Sequence, residues 1–135
     1  MGALGERAKD GPGAAATSSP TAVSPATQKS RVCGFLVTFE LSDQGEFWVL
    51  RRGTLRVGRK GATEGLDIEI DHPTVSSSHG LIHVDHEGAL SQIEDSQSAN
   101  GTLLNGKSIA GQGRRELRDH DKIRIGGVNF IVKLL

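Results

Sequence analysis

A single cysteine, Cys33, stands among the 135 residues, so neither a disulfide framework nor a multi-cysteine zinc site can form within the chain. Aromatic residues amount to 4%, too few to build the stacked platforms that hold single-stranded nucleic acid. An excess of charge is also missing: 16 Lys+Arg balance 16 Asp+Glu, which argues against a general nucleic-acid binder. No apolar run approaches the roughly 18 to 20 residues needed to span a bilayer, and the N-terminus lacks the apolar stretch of a signal peptide. A myristoylation signal beginning at Met1-Gly2 would call for Ser or Thr at the sixth position, where Glu6 stands. We therefore read the chain as cytoplasmic, or nuclear if its source is eukaryotic, monomeric, and a binder of neither membranes nor nucleic acid.

The signature of a serine hydrolase is missing as well. There is no strained Gly-x-Ser-x-Gly nucleophile turn. His79 and His83 have the spacing of a His-x-x-x-His metal pair, which needs a helix to put both on one face. The glycine and β-branched residues around them favour a strand. No enzyme, no cofactor and no metal are expected.

What the chain does have is glycine, 18 residues of it, pointing to many tight turns and few long helices. The length sets an expectation of one folded domain. Residues 1–30 are mostly Gly, Ala, Ser, Thr and Pro, with no apolar periodicity to bury against the entropy of ordering. We expect a disordered tail there, with Ser19-Pro20, Ser24-Pro25 and Thr27-Gln28 as candidate kinase sites, and a folded domain over residues 31–135. From Val32 on, the period becomes two: Phe35, Val37, Phe39 and Leu41 alternate with Leu36, Thr38 and Glu40, as in a strand with one face inward. Further short extended runs are expected at Phe47–Leu50, Thr54–Val57, Asp67–Ile70, Gly80–Val84, Ala89–Glu94, Lys122–Ile125 and Val128–Leu134. Nearly every gap between them holds glycine or an Asn/Asp/Ser cluster. The expectation is an all-β, antiparallel sandwich or barrel.

Such a scaffold presents its chemistry from loops. Four loop motifs stand out: Gly58-Arg59, Ser76-Ser77-Ser78-His79, Asn100-Gly101-Thr102 and Asn105-Gly106. Together they offer a guanidinium fork matched to phosphate, hydroxyls and backbone N–H groups for the remaining oxygens, and asparagine amides suited to an extended peptide backbone. This is a kit for recognising a phosphorylated segment. In order and spacing, Val57-Gly58-Arg59, Asp67 to Ile70, Val75 to His79, Ser98 to Gly106, and Leu117 with Asp121, Ile123 and Gly126 resemble the forkhead-associated (FHA) phosphothreonine-binding domain over roughly Phe35 to Leu135.

The resemblance implies an eleven-stranded FHA/SMAD-like β-sandwich that binds phosphothreonine peptides in kinase-dependent signalling and does no chemistry. It assigns the phosphate to Arg59 and Ser76, with Ser77 beside them, and the peptide main chain to Asn100. Asn105 would help read residues C-terminal to the phosphothreonine, while Gly58, His79, Gly101 and Thr102 would brace the loops. Its partner would be a phosphothreonine protein, the chain's own phosphorylated tail included.

Three positions depart from the family pattern. Ser77 stands where Arg or Asn is usual, Ala99 where Ser or Thr is usual, and His120 where a glycine is usual. The first two bear on affinity. The third asks a histidine to adopt a left-handed conformation. Two rival readings remain open from residues alone: a degenerate scaffold binding unphosphorylated surfaces, and a nucleic-acid-binding sandwich using Arg51, Arg52, Arg114, Arg115 and Arg118.

Overall fold

A computed structural model describes residues 30–85 and 90–135. The tail expected over 1–30 and its candidate kinase sites therefore fall, Ser30 apart, outside the described residues, as does Ala89. Eleven strands and no helix occur among the described residues. They are β1 (Val32–Thr38), β2 (Glu46–Arg51), β3 (Gly53–Arg59), β4 (Ile68–Ile70), β5 (Gly80–Val84), β6 (Ser91–Asp95), β7 (Thr102–Leu104), β8 (Lys107–Ser108), β9 (Arg115–Leu117), β10 (Lys122–Ile125) and β11 (Val128–Leu134). They form a five-stranded sheet in the order β9-β6-β5-β3-β4 and a six-stranded sheet in the order β2-β1-β11-β10-β7-β8. The sandwich is not purely antiparallel: β3 and β4 run parallel, Val57 opposite Ile68 and Arg59 opposite Ile70. The eight residues 60–67 make that crossover, and β4 lies at the edge of its sheet.

Alternation builds the core, since successive side chains on a strand face opposite ways. Val128, Phe130 and Val132 point inward from β11, Ile123 and Ile125 from β10, and Ile82 and Val84 from β5. Trp48 meets Phe130 edge-on, ring centroids 5.7 Å apart. In β1 the inward residues are Leu36 and Thr38, whereas Phe35 and Val37 face outward. The apolar set of the alternating pattern thus lies on the outer face, and Phe39 and Leu41 fall beyond the strand. Thr38 can be buried because its hydroxyl donates to the Asn129 carbonyl (2.7 Å) and accepts the Glu40 N–H (3.1 Å).

The short strands β7, β8 and β9 carry too few alternating apolar residues to stand out in the sequence. Pairing holds them, β7 with β10, β8 with β7 and β9 with β6.

Register places the loops. Val57 of β3 lies opposite Gly80 of β5, and Gly80 opposite Asp95 of β6. The end of β3, the start of β5 and the end of β6 therefore share one end of the five-stranded sheet. In the other sheet, Ile125 faces both Thr102 and Val128, which puts the start of β7 beside the Gly126-Gly127 turn.

Candidate functional site

The site is assembled around the segment 74–79. Gly58 permits this: a Cβ there would come within 2.2 Å of the Ser77 carbonyl oxygen, so only glycine lets β3 approach the segment. Arg59 then fastens it, its backbone N–H donating to the Ser76 carbonyl (3.0 Å) and its Nη1 to the Val75 carbonyl (3.0 Å). Its other guanidinium donors have no partner among the described residues, and no carboxylate there pairs with this half-buried cation.

Ser76 is oriented by its neighbours. Its backbone N–H donates to Nδ1 of His79 (3.0 Å). A ring nitrogen that accepts carries no proton, so the proton of neutral His79 sits on Nε2, which donates to the Gly101 carbonyl (3.0 Å). The Ser76 hydroxyl oxygen accepts the Ala99 N–H (2.9 Å), leaving its own hydrogen to donate outward. Ala99, with no donor in its side chain, thus contributes through its backbone. Ser77 and Ser78 are exposed, with no hydrogen bond from either hydroxyl to a described residue.

His79 is fully buried, and burial pushes its pKa below 6.5, against the opposing pull of the Gly101 carbonyl and the Asp95 charge. Asp95, whose side chain is 1% exposed, went unremarked in the sequence reading. Burial alone would raise its pKa. The Ser98 hydroxyl, the Thr102 hydroxyl (2.7 Å) and the Ser98 N–H (3.1 Å) all donate to it and hold it net below the usual carboxylate value. Two hydroxyl residues three and seven positions after an acid that ends a strand were the available signal. Thr102 is buried, and Gly101 has φ +82, a left-handed backbone that glycine adopts freely.

Asn100 is exposed. Its amide nitrogen donates to the Thr74 carbonyl (2.8 Å), while its Oδ1 accepts nothing among the described residues. Thr74 was another omission from the sequence reading, and nothing in its local pattern marks it. Its hydroxyl oxygen accepts the Gly127 N–H (2.7 Å), tying the segment to the β10–β11 turn.

Arg59, Ser76, Ser77 and Asn100 thus come together at one end of the sandwich, braced by Gly58, His79, Gly101 and Thr102. Asn105 stands apart, beyond the other end of the three-residue strand β7. Its amide nitrogen donates to Asp121 Oδ1 (3.0 Å) and its Oδ1 accepts the Lys122 N–H (2.9 Å), bracing the turn 118–121. His120 has φ +71, the left-handed conformation expected of it. The three arginines Arg114, Arg115 and Arg118 line a groove that Glu116 and Asp121 share, so its charge is partly offset.

A half-buried guanidinium without a carboxylate, an outward hydroxyl and a free amide oxygen on the loops of a β-sandwich define a non-covalent binding domain for an anionic, hydrogen-bonding ligand. The pattern of the FHA domain matches residues 55–126, more than half of the chain, and the chain belongs to that family. Solved structures agree. The FHA domain of FhaA, crystallised with the intracellular domain of Rv3910, is 27% identical with a TM-score of 0.63, over 74% of this chain and 99% of that one. The FHA domain of an Arabidopsis thaliana protein is 25% identical (TM-score 0.63), over 84% and 95%. EmbR of Mycobacterium tuberculosis, solved with a low-affinity phosphopeptide, is 25% identical (TM-score 0.60), over 82% of this chain and 26% of that one.

Proposed function

We propose that this chain is a non-catalytic module that binds phosphothreonine segments of partner proteins. Arg59 takes the phosphate by paired charge-assisted hydrogen bonds, the Ser76 hydroxyl donates to a remaining oxygen, and Asn100 holds the peptide backbone. The observation that carries this reading is Arg59 itself. A half-buried cation is costly unless something compensates it, and here the guanidinium's partner among the described residues is a neutral carbonyl. A dianionic phosphate supplies the missing counter-charge. The preference for threonine follows from the family to which the chain belongs, and the phosphopeptide bound to EmbR supports the same ligand class.

Calorimetric titration tests the proposal. A phosphothreonine peptide should bind with micromolar affinity, about −8 kcal/mol, and its unphosphorylated form should not bind detectably. Arg59→Ala should abolish binding while the melting temperature stays within a few degrees, because the side chain lies outside the core. Equal affinity for both peptide forms would favour a scaffold that binds unphosphorylated surfaces.

A further inference from the structure

We infer that the ligand does not end at the phosphothreonine site: a flank of the same chain continues across the outer face of the six-stranded sheet, placing an acidic residue over Arg124 and Lys122 and an apolar one in a pocket of Val37, Phe39 and Ile131. This rests on the phosphothreonine reading above and extends it.

Three open grooves share walls and run as one trough. The first, of about 330 Å³, has Thr74, Asn100, Leu103 and Arg124 on its walls and so begins at the peptide-holding asparagine. The second, of about 510 Å³, shares Leu103 and Arg124 with the first and adds Lys122 and Asn129. A third groove, of about 460 Å³, shares Lys122 and Asn129 and ends among Val37, Phe39 and Ile131. Cross-strand register agrees, because Leu103, Arg124 and Asn129 lie opposite one another in series, as do Lys122, Ile131 and Val37.

The far pocket is apolar and already in place. Phe39 is 62% exposed and Ile131 40%, yet Phe39 is held: its ring packs so closely on Gly45 that a Cβ there would stand 2.7 Å from it. Exposed apolar groups gathered beside a binding site are more informative than the same groups scattered. The middle of the trough is basic. Among the described residues Arg124 donates through Nε alone, to the Gly126 carbonyl (3.2 Å). Glu40 is the nearby acid, and both its oxygens accept from Asn129 (2.8 and 3.0 Å). Two cations therefore face one carboxylate, whose charge acts on Arg124, and the one positive charge in excess favours an acidic residue in the ligand. From β7 to β1 the trough crosses three inter-strand spacings, about 14 Å, or four to five residues of extended chain.

Titration of the full chain with three synthetic peptides decides the matter. One is a core with about three residues on each side of the phosphothreonine. The other two extend that core by about eight residues on the N-terminal or the C-terminal side, with a glutamate and then a leucine four residues further out. One extended peptide should bind about tenfold tighter than the core. Ile131→Asp should remove that gain and leave the core's affinity unchanged, which also shows that the variant is folded; Ile131→Ser is the milder second variant. Equal binding by all three peptides, or a gain that survives both Ile131 variants, overturns the inference. No binding even by the core would bring down the phosphothreonine reading and this one with it.

Discussion

The chain contains two Asn-Gly turns five residues apart, and the fold uses them in opposite ways. At Asn105-Gly106 both residues have positive φ, +50 and +85, the pairing that joins two antiparallel strands by a tight turn. There the asparagine amide is engaged inside the protein on both its nitrogen and its oxygen. At Asn100-Gly101 only the glycine is left-handed. The asparagine is anchored through nitrogen alone and presents its oxygen to solvent. Identical dipeptides thus serve as a strand connector and, in the function proposed above, as a recognition element. What separates them is whether hydrogen-bonding capacity remains once the loop is satisfied.

Substitutions can break this contrast. The largest effect should fall on stability. Asn105→Ala must hold a left-handed backbone without its two bracing bonds and should lose about 2 kcal/mol, read by chemical denaturation, with Asn105→Gly recovering about 1 kcal/mol of that. Asn100→Ala should instead leave stability nearly unchanged and weaken phosphopeptide binding about tenfold, equivalent to about 1.4 kcal/mol; here Asn100→Gly should rescue nothing. If Asn105→Ala proved to be the binding mutant and Asn100→Ala the folding mutant, the contrast would be inverted.

Somewhat smaller is the effect of a hydroxyl at Ala99→Thr. Its backbone N–H already serves Ser76, so the added side chain supplies a new donor to phosphate without removing an old one. Binding should tighten about fivefold, or about 1 kcal/mol, in calorimetry, and unchanged or weaker binding would mean that the serines already satisfy the phosphate.

Mild acid should have the smallest effect, and an uneven one. His79 is held neutral with its folded pKa below 6.5. The unfolded chain therefore takes up that proton first, and stability declines as pH falls below 6.5 towards the folded value. Asp95 is depressed below 3.8, so its contribution is present above that value and is lost as pH falls through its folded pKa. Both groups brace the Asn100 turn. Amide protection, taken relative to the intrinsic exchange rate at each pH, should fall at Thr102 before it does at Asn105 when pH drops from 7 to 5, and a uniform fall would contradict this.

Legibility in the sequence followed the same division. Longer strands such as Gly80–Val84 and Val128–Leu134 were readable because alternation over five to seven residues is a strong signal. Arg59, Ser76, Asn100 and the bracing His79 were recognisable as an ordered set of loop motifs. The short strands Thr102–Leu104, Lys107–Ser108 and Arg115–Leu117 were not, since tertiary pairing holds them, whereas three-residue Ile68–Ile70 was, its two isoleucines alternating about Glu69. The face of β1 was also hidden: Phe35 and Val37 look like core residues, and only the register with β2 and β11 shows Leu36 inside. Nor could any local pattern announce that Thr74 meets Asn100 from 26 positions away.

Gly58 has a consequence for genetics. Its missing side chain sets the distance between a strand and the serine loop, so the smallest possible addition, Gly58→Ala, pushes that loop off Arg59 without altering Arg59, Ser76 or Asn100. Such an allele would make a protein that accumulates and keeps its sandwich but no longer responds to phosphorylation. In a cell it would separate the module's presence from its hearing, which deleting the gene cannot do.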